Sequence, residues 1–71
     1  MFYFTQYAEK KFEILNRHKI FFTREQIQDV LTAPEKTKKN GKFLICHKDG
    51  LGVVCRKENE ILKVLTFYPI K

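Results

Sequence analysis

The sequence predicts an α+β domain: a short N-terminal strand, two helices, then a four-stranded antiparallel meander with the helices packed on one face. Three observations lead there. Apolar residues recur at helical spacing between Tyr7 and Leu31. Pro34 ends that pattern, and the apolar period changes to two after it. Asn40-Gly41 and Asp49-Gly50 then punctuate the alternation with hairpin dipeptides.

Taken in order, Phe2-Tyr3-Phe4 suits a short strand, and Thr5 is placed to cap the helix after it. Helix one is read from Gln6 to Arg17: Ala8, Phe12 and Leu15 share a face with Tyr7 and Ile14 at its flanks, while Glu9, Lys10 and Glu13 lie outside. Thr23 and Gln26 have capping-box spacing, so a second helix starts there, with Ile27, Val30 and Leu31 as its buried stripe and Pro34 as its stop. The strands follow at Glu35 to Lys39, Lys42 to Lys48, Leu51 to Lys57 and Glu60 to Tyr68, with Lys57 to Glu60 as a polar third turn.

With 71 residues the chain is read as one domain, residues 1–71, too short for two cores. A hydrophobic share of 44% sets it apart from disordered chains. Fourteen Lys and Arg against eight Asp and Glu leave a formal charge of +6, which suits a polyanionic or acidic partner and is equally compatible with solubility alone. No apolar run approaches the roughly 18 residues a membrane helix needs, and MFYFTQ does not read as a signal peptide. The expectation is a cytoplasmic protein whose two cysteines are free thiols.

Pairing across the Asp49-Gly50 turn sets Lys48 against Leu51, Cys46 against Val53 and Leu44 against Cys55; the next turn then sets Arg56 against Ile61. One sheet face thereby collects Leu44, Cys46, Leu51, Val53, Cys55, Leu62, Val64 and Thr66, the side expected to receive the helices. The other collects Lys36, Lys38, Phe43, Ile45, His47, Gly52, Val54, Arg56, Ile61, Lys63, Leu65 and Phe67. A solvated face normally alternates more cleanly than this mixture of cations, aromatics and aliphatics. It calls for a cover: a partner protein, a second copy of the chain, or a nucleic acid.

The segment ICHKDGLGVVCRK concentrates the chemistry-bearing residues. A zinc site needs about four converging ligands; here Cys46 and Cys55 face the helices, whereas His47 points the other way. No metal or other cofactor is called for. A disulfide is disfavoured because diagonal cross-strand neighbours lie about 7 to 8 Å apart. His47 reads either as a surface histidine at a strand end or as a proton shuttle beside phosphate-holding cations. Arg56 and Lys63 are expected to bind anions, and Tyr68 to act as an aromatic anchor or to bring its hydroxyl to the sheet rim.

The text FTQYAEKKF, then REQIQDVLTAPEK, then LKVLTFYP, in a basic chain ordered strand, two helices, meander, resembles the RelE/ParE toxin superfamily, in particular its small BrnT-like and uncharacterised relatives. Two positions depart from that pattern. Tyr7 stands where relatives carry a histidine before the alanine, and Gly52 stands where RelE-type ribonucleases usually carry an arginine. The resemblance implies a RelE-like fold and a toxin of a toxin–antitoxin pair, a metal-independent endoribonuclease acting on messenger RNA, with or without the ribosome, and masked by an acidic antitoxin. On that reading His47, Arg56 and Tyr68 form the catalytic set, and Lys36, Lys38, Phe43, Lys63 and Phe67 bind RNA. The alternative is a non-catalytic protein- or RNA-binding module using the same face, including a homodimer formed through it.

Overall fold

Both helices begin on a threonine. In the computed structural model, which describes residues 2–70, Thr5 accepts from the Ala8 amide at 3.3 Å and opens helix α1 (Gln6–Arg17). Thr23 opens helix α2 (Arg24–Thr32) with a complete capping box: its hydroxyl accepts from the Gln26 amide, and the Gln26 side chain accepts from the Thr23 amide. Helix α1 ends in a Schellman arrangement, with the amides of Lys19 and Ile20 bonded to the carbonyls of Asn16 and Leu15. Lys19 occupies the left-handed position at φ 61°, where glycine is the usual residue.

The sheet has five strands: β1 (Phe2–Phe4), β2 (Lys36–Asn40), β3 (Phe43–Lys48), β4 (Leu51–Glu58) and β5 (Ile61–Pro69). Their spatial order is β1-β5-β4-β3-β2. Strands β2 to β5 form the expected meander, but the sheet is mixed rather than four-stranded and antiparallel: β1 joins it alongside β5, in parallel. The two helices supply the crossover that a parallel pair requires. Thr5 fastens this junction, since its hydroxyl donates to the Val64 carbonyl at 2.8 Å.

The helices cover one face. Ala8, Leu15, Ile27 and Val30 pack there against Cys46, Leu51, Val53, Val64 and Phe67. Phe67 is fully buried, with the Phe12 ring 4.6 Å and the Phe22 ring 6.3 Å from it between centroids. This corrects its expected place on the open face. The cause is a bulge: Val54 pairs with Thr66 but Cys55 with Val64, so Leu65 is the extra residue and the alternation of β5 inverts beyond it. Phe67 turns inward, and Thr66, expected in the core, turns outward.

The turns also settle the register. Asp49 and Gly50 both have positive φ, as a type I′ hairpin demands, and the β3–β4 pairs are those expected. In the first hairpin Gly41 and Lys42 are the two central residues, so β2 slides and Lys36 lies opposite His47. In the third, Asn59 and Glu60 are central, and Arg56 pairs with Lys63 instead of Ile61. Both slides are by two residues along the pairing, so the faces are preserved.

Candidate functional site on the open sheet face

The open face carries its polar groups at two ends of an apolar band. At one end a single row crosses four strands: Lys36, His47, Gly52 and Tyr68 are successive partners in β2, β3, β4 and β5. Lacking a side chain, Gly52 lets the Tyr68 ring cross β4 toward β3. The Tyr68 hydroxyl then meets His47 Nε2 at 3.0 Å, with the rings 6.1 Å apart and nearly perpendicular. When the imidazole proton is on Nδ1, the tyrosine donates; with the other tautomer, the histidine does.

Lys36 and Lys38 flank this pair from the sheet edge. Both are exposed, and neither has an ion-pair partner among the described residues. Together with Thr37, Ile45 and His47 they line a shallow groove of about 400 Å³. His47 is half-buried, so its ring is held by neighbours while still open to a ligand. The arrangement offers two proton-carrying groups in direct contact and two cations beside them.

The far end is built differently. Lys63 Nζ lies 2.7 Å from Glu58 Oε2, and Arg56 Nε lies 3.2 Å from Glu58 Oε1. The Arg56 Nε–H is not aimed at that oxygen and is buried without a hydrogen-bond partner. The hydrogen bond from Lys63 holds the Glu58 carboxyl below the usual 4.5, and Arg56 adds to the effect. One carboxylate thus offsets part of the charge of two cations. Phe43 and Tyr3 stand at either side of this pair in the same cross-strand row.

The sequence-predicted residues therefore divide. His47 and Tyr68 are brought together, with Lys36 and Lys38 beside them. Arg56 is not: it pairs with Phe43, four residues along β3 from His47, a separation of about 13 Å at the usual rise per residue. Lys63 and Phe43 share its end, and Phe67 is in the core. Ile45, Val54 and Leu65 lie between the two ends, all partly exposed.

Tyr3 and Glu58 belong to this face and escaped sequence reasoning. The signal for Tyr3 was its place between two phenylalanines: alternation sends both rings to the helix side, where Phe4 packs against the core, and the phenol to the other side. Glu58 was hidden inside a segment read as a turn. On the helix side, Cys46 and Cys55 are free and buried, and burial pushes the Cys55 thiol up to about 11. Among the described residues no group of three or more His, Cys, Asp or Glu side chains is placed to hold a metal ion, and no helix is long and apolar enough to cross a membrane. No family model, curated protein or solved structure matches the chain.

Proposed function

We propose that the open face binds single-stranded RNA and cleaves it without a metal, as the toxin-like member of a toxin–antitoxin pair with a RelE-like fold. The observation that carries this reading is the 3.0 Å contact between His47 Nε2 and the Tyr68 hydroxyl, in register with Lys36. Cleavage of RNA by its own 2′-hydroxyl needs a base for that hydroxyl, an acid for the departing 5′-oxygen and positive charge at phosphorus.

With its Nε2–H donated to the Tyr68 oxygen, neutral His47 takes the 2′-hydroxyl proton on Nδ1 as the O2′–P bond forms. Tyr68 gives its proton to the 5′-oxygen as the P–O5′ bond breaks, and Lys36 and Lys38 hold the phosphate oxygens. The products are a 2′,3′-cyclic phosphate and a 5′-hydroxyl. An imidazolium is a stronger acid than a phenol, so the Nε2 proton of His47 passes to Tyr68 across their hydrogen bond, which leaves the imidazole proton on Nδ1; exchange with solvent returns it to Nε2 before the next turnover. Arg56 and Lys63 stand too far along the strands for this step and serve binding.

The test mixes the protein with labelled single-stranded RNA in EDTA and follows both binding and fragment length. His47→Ala is expected to abolish fragments while binding persists; fragments produced equally by the variant would remove His47 from the chemistry. A second reading is a non-catalytic module that docks an acidic partner protein or a second copy of the chain. It is favoured by the aliphatic band of Ile45, Val54 and Leu65, which RNA does not need.

A further inference from the structure

We infer that the end of the face remote from His47 is a second RNA subsite, in which Tyr3 and Phe43 stack bases and Arg56 and Lys63 hold the phosphates of the strand between them. This rests on the RNA reading above and extends it to residues that have no part in the chemistry.

The row is Tyr3, Lys63, Arg56, Phe43, one residue from each of β1, β5, β4 and β3. Aromatic, cation, cation, aromatic is the order that a single strand laid across a sheet would use, because every base has a face to stack and every link carries a charge. Adjacent strands are about 4.8 Å apart, so the two rings are separated by three such steps, about 14 Å. Their exposure sets them apart from the other aromatics of the sheet: Tyr3 is 55% and Phe43 43% accessible, while Phe67 is completely buried.

Nothing in the packing accounts for Tyr3. Its neighbours Phe2 and Phe4 face the helices, and it alone of the β1 residues is exposed. It opens instead on a hollow of about 400 Å³ that also holds Tyr7, Arg56, Glu58, Lys63 and Leu65. Tyr7, 80% accessible on helix α1, forms a further wall of that hollow.

Charge at this end favours an anion in spite of Glu58. Two cations meet one carboxylate, and Glu58 engages the guanidinium from its Nε side, which leaves the terminal nitrogen pair of Arg56 for a second anion. The roughly 13 Å between this row and His47 corresponds to about two extended or four stacked nucleotide steps, so an oligomer must run beyond the bond being cut to occupy the whole row.

The experiment measures binding of 2′-O-methyl oligonucleotides, which cannot be cleaved, to the full chain. Wild-type protein is expected to bind a hexanucleotide at least tenfold more tightly than a trinucleotide. Tyr3→Ala is expected to lose about tenfold on the hexanucleotide, the scale of one stacked base, and Tyr3→Phe to retain it. Equal hexanucleotide affinity in wild type and Tyr3→Ala overturns the subsite and leaves the RNA reading standing. If wild type binds neither oligomer but does bind an acidic peptide, both are overturned.

Discussion

Gly52 and Tyr68 are a matched pair: the tyrosine ring fills the space of the missing side chain, with Cε2 and Cζ 2.6 Å from where a Cβ would stand. No ordinary side chain tolerates that approach, so the hydrogen bond to His47 depends on a glycine one strand away from both partners. Gly52→Ala is expected to push the ring aside and break the bond. Net stability should change by less than about 1 kcal/mol, because a better strand former offsets the lost hydrogen bond. RNA cleavage should nevertheless fall about as far as in Tyr68→Phe, by about a hundredfold or more. Urea denaturation and a cleavage assay on the two variants together check this; cleavage retained in Gly52→Ala would separate the pair from the chemistry.

The bulge at Leu65 predicts unequal roles for two phenylalanines. Phe67→Ala should cost about 3–5 kcal/mol, the usual range for emptying a core ring position. Phe43→Ala, on the open face, should cost less than about 1 kcal/mol. Urea midpoints measure both, and a mild Phe67 variant would mean that β5 runs without its bulge.

Lys19 holds a left-handed conformation that costs a side-chain-bearing residue about 1–2 kcal/mol. Lys19→Gly should therefore stabilise the protein, by about 1 kcal/mol once the greater freedom of glycine in the unfolded chain is counted. Thermal unfolding reads this as a higher midpoint.

On the RNA reading, Glu58 links acid stability to binding. Its folded pKa lies below 4.5, so its contribution is fully present above that value and is lost as pH falls through the depressed one. Glu58→Gln should flatten the stability profile below pH 4.5. The same change releases Lys63 and Arg56, so RNA affinity should rise and its salt dependence steepen, by about 0.7 in the logarithmic slope for each additional phosphate neutralised.

The thiols give an alkaline counterpart. Burial raises Cys55 from 9.0 to about 11 and shifts Cys46 the same way. Their neutral forms favour the folded state, so the contribution is complete below pH 9.0 and declines as pH rises toward 11. In native protein at pH 8 both should resist a thiol reagent that modifies them at once in urea.

The legibility of residue order depends on how local the physics is. Helix α1 has the expected bounds because Thr5, the apolar face and the polar flank all lie within one dozen residues. The Thr23 capping box and the Asp49-Gly50 turn are likewise complete in a few positions, which is why His47 and Gly52 were placed on one face in the correct register. The misplacement of Phe67 came from strict alternation along Leu62, Val64 and Thr66, which has no means of registering one extra residue. The pairing of β1 with β5 is set by partners at opposite ends of the chain, and three residues carry too little pattern to announce it. The Tyr68–His47 contact needed both the bulge and the glycine, so it was beyond any single local rule.

The pairing of the first strand with the last also bears on synthesis. Thr5 bonds a carbonyl 59 positions further on, and β5 lies between β1 and β4. A nascent chain can form both helices and the first hairpins early, yet its sheet cannot close until β5 has emerged from the ribosome. Tyr68 is among the last residues of that strand, so His47 acquires its partner only when β5 takes its place in the sheet. An RNA-directed activity built on this pair would be withheld from a partly folded chain until its fifth strand had joined the sheet.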